Sequence, residues 1–487
     1  MAATPAKARE AQGGNRFPDE DGDVVVVVGS GAGGGTLANE LCQQGVRTVV
    51  LEAGPHLSPD DYGQEEWPGF NQMAWHDART TSGSWRVARD FPDLPAWTVK
   101  AVGGTSTQWA GACPRLQEHE FRIEESYGDG IDGANLLDWP IDLSDLEPFY
   151  DEAEVKMGVS CRQGPSNDRY GTKWSTLIAE LPKAARTGKL DLRADAHAVQ
   201  VTHDARGHAD AVVYLDGEGN LRRQRAKAVC VAGNAIESAR LLLLSSSPSH
   251  PDGLANSSGQ LGRNYMRHVT ASVFARFPEP VGARRGERVA AMIADEASHD
   301  PGRGFAGGFY MEGLRLGVPF LAALVDPGGW GPEFTATMSA YERTAGLWIV
   351  GEDMPQEANR VTLNADVSDQ HGLPAPNVHC DDHANDVAMR EYAWGKGRDV
   401  FAAAGATAPT RTPAYPSTHN LGTCRMSERS QDGVVNGFGQ THDVANLFVS
   451  DGSVFTSSGA ANPTLTIVAL AIRQAEYLVD EIRSRRI

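Results

Sequence analysis

From Val24 to Val28 the chain carries an unbroken run of β-branched apolar residues, the pattern of a strand covered on both faces in a parallel sheet. The run leads straight into Gly29-Ser30-Gly31-Ala32-Gly33-Gly34-Gly35. Thr36–Leu41 then spaces its apolar residues as a helix does, and Gly45 is a helix stop. Val46–Leu51 predicts the next strand, which closes on Glu52-Ala53-Gly54. Strand, glycine loop, helix and strand together make one βαβ unit.

Further along, apolar spacing predicts a helix over Leu146–Gly158, with Asp142 or Ser144 as its cap. Ala196–Val201 and Ala211–Leu215 predict a hairpin-like pair, Ala228–Ala232 a buried strand and Ile236–Leu244 a helix. Ser272–Phe277, Phe334–Ala340, Leu347–Val350 and Arg360–Leu363 alternate in polarity between Pro/Gly loops, which predicts a mostly antiparallel second sheet. Leu447–Ser450 predicts a strand, Asp451-Gly452 a turn and Thr464–Ile482 a long helix. The expected plan is an α/β protein with a Rossmann-like nucleotide domain, residues 21–265, interrupted by a β-rich substrate domain, residues 266–412. The chain returns to the first domain over 413–487. Residues 1–20 read as a loose tail, and 55–97 and 115–190 as inserted cover segments; 55–97, rich in Trp, Pro, Asp and Gly, is long enough to lie over a ligand.

Composition narrows the function classes. The 487 residues are 41% hydrophobic and 22% charged, the usage of a globular protein. With 44 Lys and Arg against 63 Asp and Glu, the formal charge of −19 excludes a polyanion-binding surface, so no nucleic-acid partner is expected. Six scattered cysteines form no CxxC pair and no short Cys/His cluster, so neither a metal site nor a disulfide framework is expected. The N-terminal stretch lacks the apolar core of a secretion signal, and no run reaches the ~20 apolar residues of a membrane helix. A cytoplasmic protein without a membrane partner is the expectation.

Gly29-x-Gly31-x-x-Gly34 lies between a strand and a helix, with the acid Glu52 at the tip of the following strand. The first glycine makes the tight turn, the second admits a pyrophosphate against the backbone, and the third lets helix pack on strand. The helix N-terminus supplies free amides and a positive dipole end for the diphosphate, and Glu52 suits the ribose hydroxyls. The motif alone leaves NAD and FAD both open. A second loop, Val102-Gly103-Gly104-Thr105-Ser106-Thr107-Gln108-Trp109-Ala110-Gly111, has the small residues that would let a backbone lie flat on a planar ring or a diphosphate.

Two C-terminal segments, Ser417–Met426 (STHNLGTCRM) and Ala460–Thr466 (AANPTLT), complete the pattern. With the glycine loop, GGTSTQW at 103–109, DWPIDLSDLEPFYDEAE at 138–154, NSSGQLGRNYMRH at 256–268 and ANRVTL at 358–363, the chain resembles the glucose-methanol-choline (GMC) oxidoreductases, above all their pyranose oxidase branch. The resemblance implies FAD, and it places Gly29, Ser30, Gly31, Ala32, Gly34, Glu52 and Ala53 on the ADP moiety. Gly103, Gly104, Ser106, Thr107, Gln108, Trp109 and Ala110 fall to the flavin loop, with Trp109 weighed equally as core packing. Val199 resembles the strand that meets the adenine, and Ala232 and Gly233 the turn that closes over the nucleotide. Asp451 and Gly452 match the turn at the diphosphate and ribityl chain. Asn462, Pro463 and Thr464 open the last helix, whose dipole would face the flavin pyrimidine and favour the negative charge of the reduced ring.

Where covalently flavinylated pyranose oxidases carry a histidine before the loop tryptophan, this chain has Gln108, which implies non-covalent FAD. Gly233–Arg240 also departs from the family's small-residue signature, so no site is assigned there beyond Ala232 and Gly233.

His419 and Asn462 match the family's catalytic pair. Alcohol oxidation needs a base of near-neutral pKa and a neutral donor for the oxygen, tasks that suit imidazole and amide. Asn462 also stands where a helix cap would. His268 reads as structural or supporting, and Cys424 and Arg425 as packing residues. The implied reaction turns a secondary hydroxyl (C3 or C2) of a pyranose or glycoside into a ketone, with hydride passing to flavin N5 and O2 becoming H2O2. A chain without the long extra segments of fungal pyranose oxidases suits a glycoside oxidised at C3. The alternative is a sugar or polyol dehydrogenase that passes electrons to a quinone or another non-oxygen acceptor.

Overall fold

The structure, a computed structural model, describes residues 15–58, 61, 73–84, 97–128, 131–159, 173–282, 289–318, 321–322, 328–412 and 417–487. A five-stranded parallel sheet runs in the order Leu447–Val449, Ala228–Val231, Val25–Val28, Thr48–Leu51, Leu190–Arg193. Its central strand explains the missing alternation in the sequence. Val25 and Val27 pack with Leu37, Leu41, Ala471 and Leu478, whereas Val26 and Val28 pack with Val212, Tyr214 and Ile236 on the other face. Both faces are therefore apolar, and each fully buried valine stabilises the fold by roughly 1.5–3 kcal/mol over an exposed one.

Helix Ala32–Gln43 leaves the central strand through the glycine loop and packs along the closing helix Thr464–Arg483. On the opposite face lies an antiparallel meander, His197–His203, Ala209–Leu215 and Leu221–Arg225. Its first two strands are the expected hairpin. Helix Leu143–Met157 is capped by Asp142, whose carboxylate accepts from the Asp145 amide, while the Asp145 side chain returns the bond. That decides between the two caps read from the sequence.

The second sheet is antiparallel throughout, in the order Val289–Ile293, Phe309–Leu314, Thr344–Gly351, Val269–Arg276, Thr407–Arg411. Alternation sends Phe309, Met311, Leu347 and Ile349 into a core with helix Ala384–Ala403, and sends Glu312, Leu314 and Trp348 the other way. Arg360–Ser368 lies outside this sheet and pairs with Pro374–Cys380, which Thr81–Gly83 extends.

The expectation that Arg360–Leu363 belongs to the second sheet is thus corrected, and three further points differ from the sequence reading. Phe334–Ala340 is no strand; helix Gly331–Ser339 occupies it, with no buried residue, and the alternation of its sequence reflects no sheet face. The sequence gives little sign of helix Ala384–Ala403, because its buried stripe is only Asp386, Met389, Ala393, Gly397 and Phe401, and two glycines interrupt it. Gly397 is needed there: a Cβ would stand 2.9 Å from Val273 Cγ2. Finally, residues 15–20 are no loose tail. Phe17 donates its amide to Asp191, and Arg193 bonds the Phe17 carbonyl and Asp19. The rest of the expected tail, 1–14, and most of the cover segment 55–97 lie outside the described residues. No helix among the described residues is long and apolar enough to cross a membrane.

Candidate active site

One cavity is lined by the glycine loop and by the start of the closing helix. In the glycine loop, Gly29 takes φ +99°, and a Cβ there would stand 2.2 Å from the Ala232 carbonyl oxygen, so only glycine makes this turn. Gly31 precedes helix Ala32–Gln43 without any side-chain cap, and no acid occupies the first turn. The amides at this N-terminus are thus left to the cavity that Gly31, Ala32 and Gly33 line.

Ser30 ties three segments together. Its hydroxyl and amide donate to Glu52 Oε2 at 2.7 and 3.1 Å, and its hydroxyl oxygen accepts the Gly103 amide at 3.0 Å. Glu52 Oε1 accepts from the Gly54 amide at 2.9 Å. Burial raises the Glu52 carboxyl, and the Ser30 and Gly54 donors oppose the rise. The second loop reaches the first through glycines: a Cβ on Gly104 would come within 2.9 Å of the Gly31 Cα.

Asp451, just past strand Leu447–Val449, lines the same cavity. Its carboxylate accepts from the Asn234 amide at 2.9 Å, the Ser238 hydroxyl at 2.5 Å and the Ser453 amide at 2.8 Å. Asn234, at φ +81°, also caps helix Ala235–Leu244 through Oδ1.

Helix Thr464–Arg483, which also lines the cavity, starts behind Pro463 with no side-chain cap and no acid in its first turn. Asn462 is therefore not its cap; the amide is buried, and its Oδ1 takes no hydrogen bond among the described residues. Glu312 lies beside it, fully buried, with neither carboxyl oxygen hydrogen-bonded among the described residues. Burial pushes its carboxyl up to about 7, against the opposing pull of the Asn462 amide.

His419 is half-buried and lines the cavity, with the Trp348 ring centroid 5.8 Å away. Its Nδ1 stands 2.8 Å from Nδ1 of buried His268. Burial, and then His268, hold its pKa well below the usual imidazole range, so the ring is neutral at physiological pH.

Gly29, Ser30, Gly31, Ala32, Glu52, Gly104, Ser106, Gln108, Trp109, Ala110, Ala232, Gly233, His419, Asp451, Gly452, Asn462, Pro463 and Thr464 all line this cavity. Gly34, Ala53, Gly103, Thr107 and Val199 do not. Gly34 holds helix to strand, since a Cβ there would meet the Gly29 carbonyl oxygen at 2.3 Å. Gly103 and Thr107 shape their own turn, and Val199 sits at a register shift in the meander. Trp109 lines the cavity while its Nε1 donates to the Trp174 carbonyl at 2.8 Å, so it both faces the site and packs. Cys424 and Arg425 are buried outside the cavity lining.

The sequence reading missed Thr98, Asn234, Leu314, Arg315 and Trp348 in the cavity wall, and Glu312 behind it. Asn234 carried a signal, a capping residue one step before a helix. The others come from strands and loops whose wall-facing role depends on long-range pairing.

Two uncapped helix N-termini lining one cavity, with a neutral histidine and a buried amide in the same lining, fit a ligand that carries both a diphosphate and an electron-accepting ring. That is the chemistry of FAD.

The comparisons with known proteins agree. Residues 145–270 and 355–471 match the two GMC oxidoreductase family models, and residues 27–79 match an NAD(P)-binding Rossmann-like domain. A 2-methyl-1,2-propanediol dehydrogenase of Mycolicibacterium austroafricanum is 32% identical over 93% of this chain and 94% of its own. The fructose dehydrogenase large subunit of Gluconobacter japonicus is 26% identical over 94% and 98%, and the paromamine 6'-oxidase of Streptomyces fradiae 28% over 95% and 92%. The fold matches formate oxidase of Aspergillus oryzae with a TM-score of 0.67 at 15% identity, covering 95% of this chain and 99% of that one. The chain belongs to the GMC oxidoreductase family, flavoenzymes that act on CH–OH groups.

Proposed function

We propose that the protein oxidises a secondary hydroxyl of a pyranose or glycoside, at C3 or C2, to the ketone on a non-covalently held FAD, and that O2 takes up the electrons. The observation that carries this reading is the single cavity in which two uncapped helix N-termini, His419 and Asn462 meet. Gly29–Ala32, Glu52, Gly104, Asp451 and Thr464 would hold the FAD, in an arrangement where residues 21–265 and 413–487 serve the cofactor and 266–412 the substrate. When bound, FAD supplies the two-electron acceptor.

The protein's own residues supply the rest. Neutral His419 takes the hydroxyl proton, a task its depressed pKa leaves it free for over a wide pH range. The Asn462 amide donates to the oxygen as negative charge builds on it. Trp109 and Trp348 wall the site against water. The relatives named fructose dehydrogenase and paromamine 6'-oxidase support a polyhydroxy substrate. Gln108, without a nucleophilic ring nitrogen, supports non-covalent attachment.

A second reading, transfer to a quinone or another non-oxygen acceptor, is favoured by the dehydrogenase names of two relatives. Anaerobic mixing with a panel of sugars and glycosides, followed by air, separates the two. Bleaching by a sugar and recovery of the colour in air with H2O2 is expected. Recovery only with a quinone supports the second reading, and no bleaching by any sugar refutes the substrate class. Acid precipitation should leave the yellow colour in the supernatant; colour in the pellet refutes non-covalent attachment.

A further inference from the structure

His268 makes two contacts that fix where its proton sits. Nε2 lies 3.2 Å from the Ser458 carbonyl oxygen, which can only accept, so Nε2 carries the hydrogen. A neutral imidazole has one N–H, so His268 Nδ1 is a bare acceptor. The partner 2.8 Å away, His419 Nδ1, must then be the donor. His419 keeps no second hydrogen while neutral, which leaves its Nε2 as the unprotonated nitrogen of the ring that lines the cavity.

We propose that His268 is the positioning residue of the base: it locks His419 in the Nδ1–H tautomer and leaves Nε2 to take the substrate proton. This rests on the reading of His419 as that base. Once His419 Nε2 has taken the proton, Nδ1–H still donates to the same acceptor, so one hydrogen bond serves both states of the ring. The rings meet edge to face, with centroids 4.9 Å apart, so a ring flip of His268 would break both contacts.

Among the described residues, burial and His268 act on His419, and no carboxylate does so directly. Glu352 acts on His268 from the end of the substrate sheet, and Glu312 lies beside Asn462. Arg267, next to His268 in sequence, turns to Cys380 Sγ and Asp382. Burial lowers His268 to about 4, which keeps it a neutral acceptor. A neutral partner orients the base without raising its affinity for protons, as a carboxylate would.

Three substitutions test this in the FAD-loaded protein. His268→Leu fills the space without an acceptor and should slow anaerobic flavin reduction by sugar roughly 10–100-fold, the cost of losing the partner of a working imidazole. His268→Asn offers Oδ1 near the place of Nδ1 and should restore the larger part of that loss. His268→Asp puts a carboxylate there and should move the acid limb of the reduction rate to higher pH. Histidine-selective ¹⁵N labelling gives a readout apart from activity: the His419 ring nitrogens should show Nδ1 protonated in the parent and a tautomer mixture in His268→Leu. Parent-like rates and tautomer in His268→Leu overturn the proposal, as do an Asn variant no better than Leu or an unshifted Asp profile. If His268→Leu does not fold, the Asn and Asp variants and the parent's ¹⁵N spectrum still decide. A slow His419→Ala beside an indifferent His268 series overturns this inference alone, whereas a fast His419→Ala overturns the reading beneath it.

Discussion

The two sheets meet at one cavity but build their shares of it differently. The parallel sheet presents backbone: amides at Gly31–Gly33 and Thr464, and glycine contacts so close that a side chain cannot enter. The antiparallel sheet presents side chains: Leu314 and Trp348 in the wall, with Glu312 buried behind them. A backbone site demands glycine at fixed spacings and tolerates little change, which suits an invariant ligand such as a dinucleotide. A side-chain site can be altered one residue at a time, which suits a substrate that differs between members of a family.

The largest expected effect lies in the backbone half. A Cβ at Gly33 would stand 1.8 Å from the Ser450 carbonyl oxygen, so Gly33→Ala forces helix and strand apart. Purification should yield little folded, yellow protein, as circular dichroism and the flavin absorbance will record; a stable Gly33→Ala holoprotein would break the contrast between the halves. Asn462→Ala comes next and should slow flavin reduction by up to ~10²–10³-fold with FAD content held, the range for removing one donor aimed at developing charge. Stopped-flow reduction measures it, and an unchanged rate would take Asn462 out of the chemistry.

Glu52→Ala should weaken FAD retention without changing chemistry in molecules that keep the cofactor, because Glu52 also braces Ser30 and Gly54. Ultrafiltration after dilution measures the released FAD; full retention would remove that role.

The smallest effect tests the side-chain half. Glu312 titrates near 7 in the fold against 4.5 for an ordinary glutamate, so the folded state holds its proton more tightly than the unfolded chain. The stability that goes with that proton is fully present below about pH 4.5 and is lost as pH rises through about 7. Glu312→Gln should therefore raise the apparent Tm by roughly 2–4 °C at pH 8.5 and leave it near the parent at pH 4.5. A shift of the same size at both pH values would show that burial of this charge is not the cause.

The same contrast governs how much was legible in the sequence. The glycine loop, Glu52 and the Asp451-Gly452 turn are each a short run of residues in the chain and so are legible there, although the contacts that require them, Gly29 against Ala232 and Asp451 with Asn234, are distant. His419 and Asn462 were legible through their motifs, although Asn462 does not cap the helix it precedes. Glu312 and Trp348 were not, since they lie opposite each other only once their two strands pair. In the sequence His268 reads as structural or supporting, because the 2.8 Å contact to His419 spans 151 residues of chain. Helix Ala384–Ala403 stayed hidden because its stripe of buried residues is one side chain wide.

The most direct test of the central claim is stopped-flow, anaerobic reduction of the bound flavin by a reactive sugar in the parent and in His419→Ala, with FAD content measured in both. Loss of the base should slow reduction ~10²–10⁴-fold while the protein keeps its FAD. Reduction at near the parent rate would place the base elsewhere and contradict the account of this cavity.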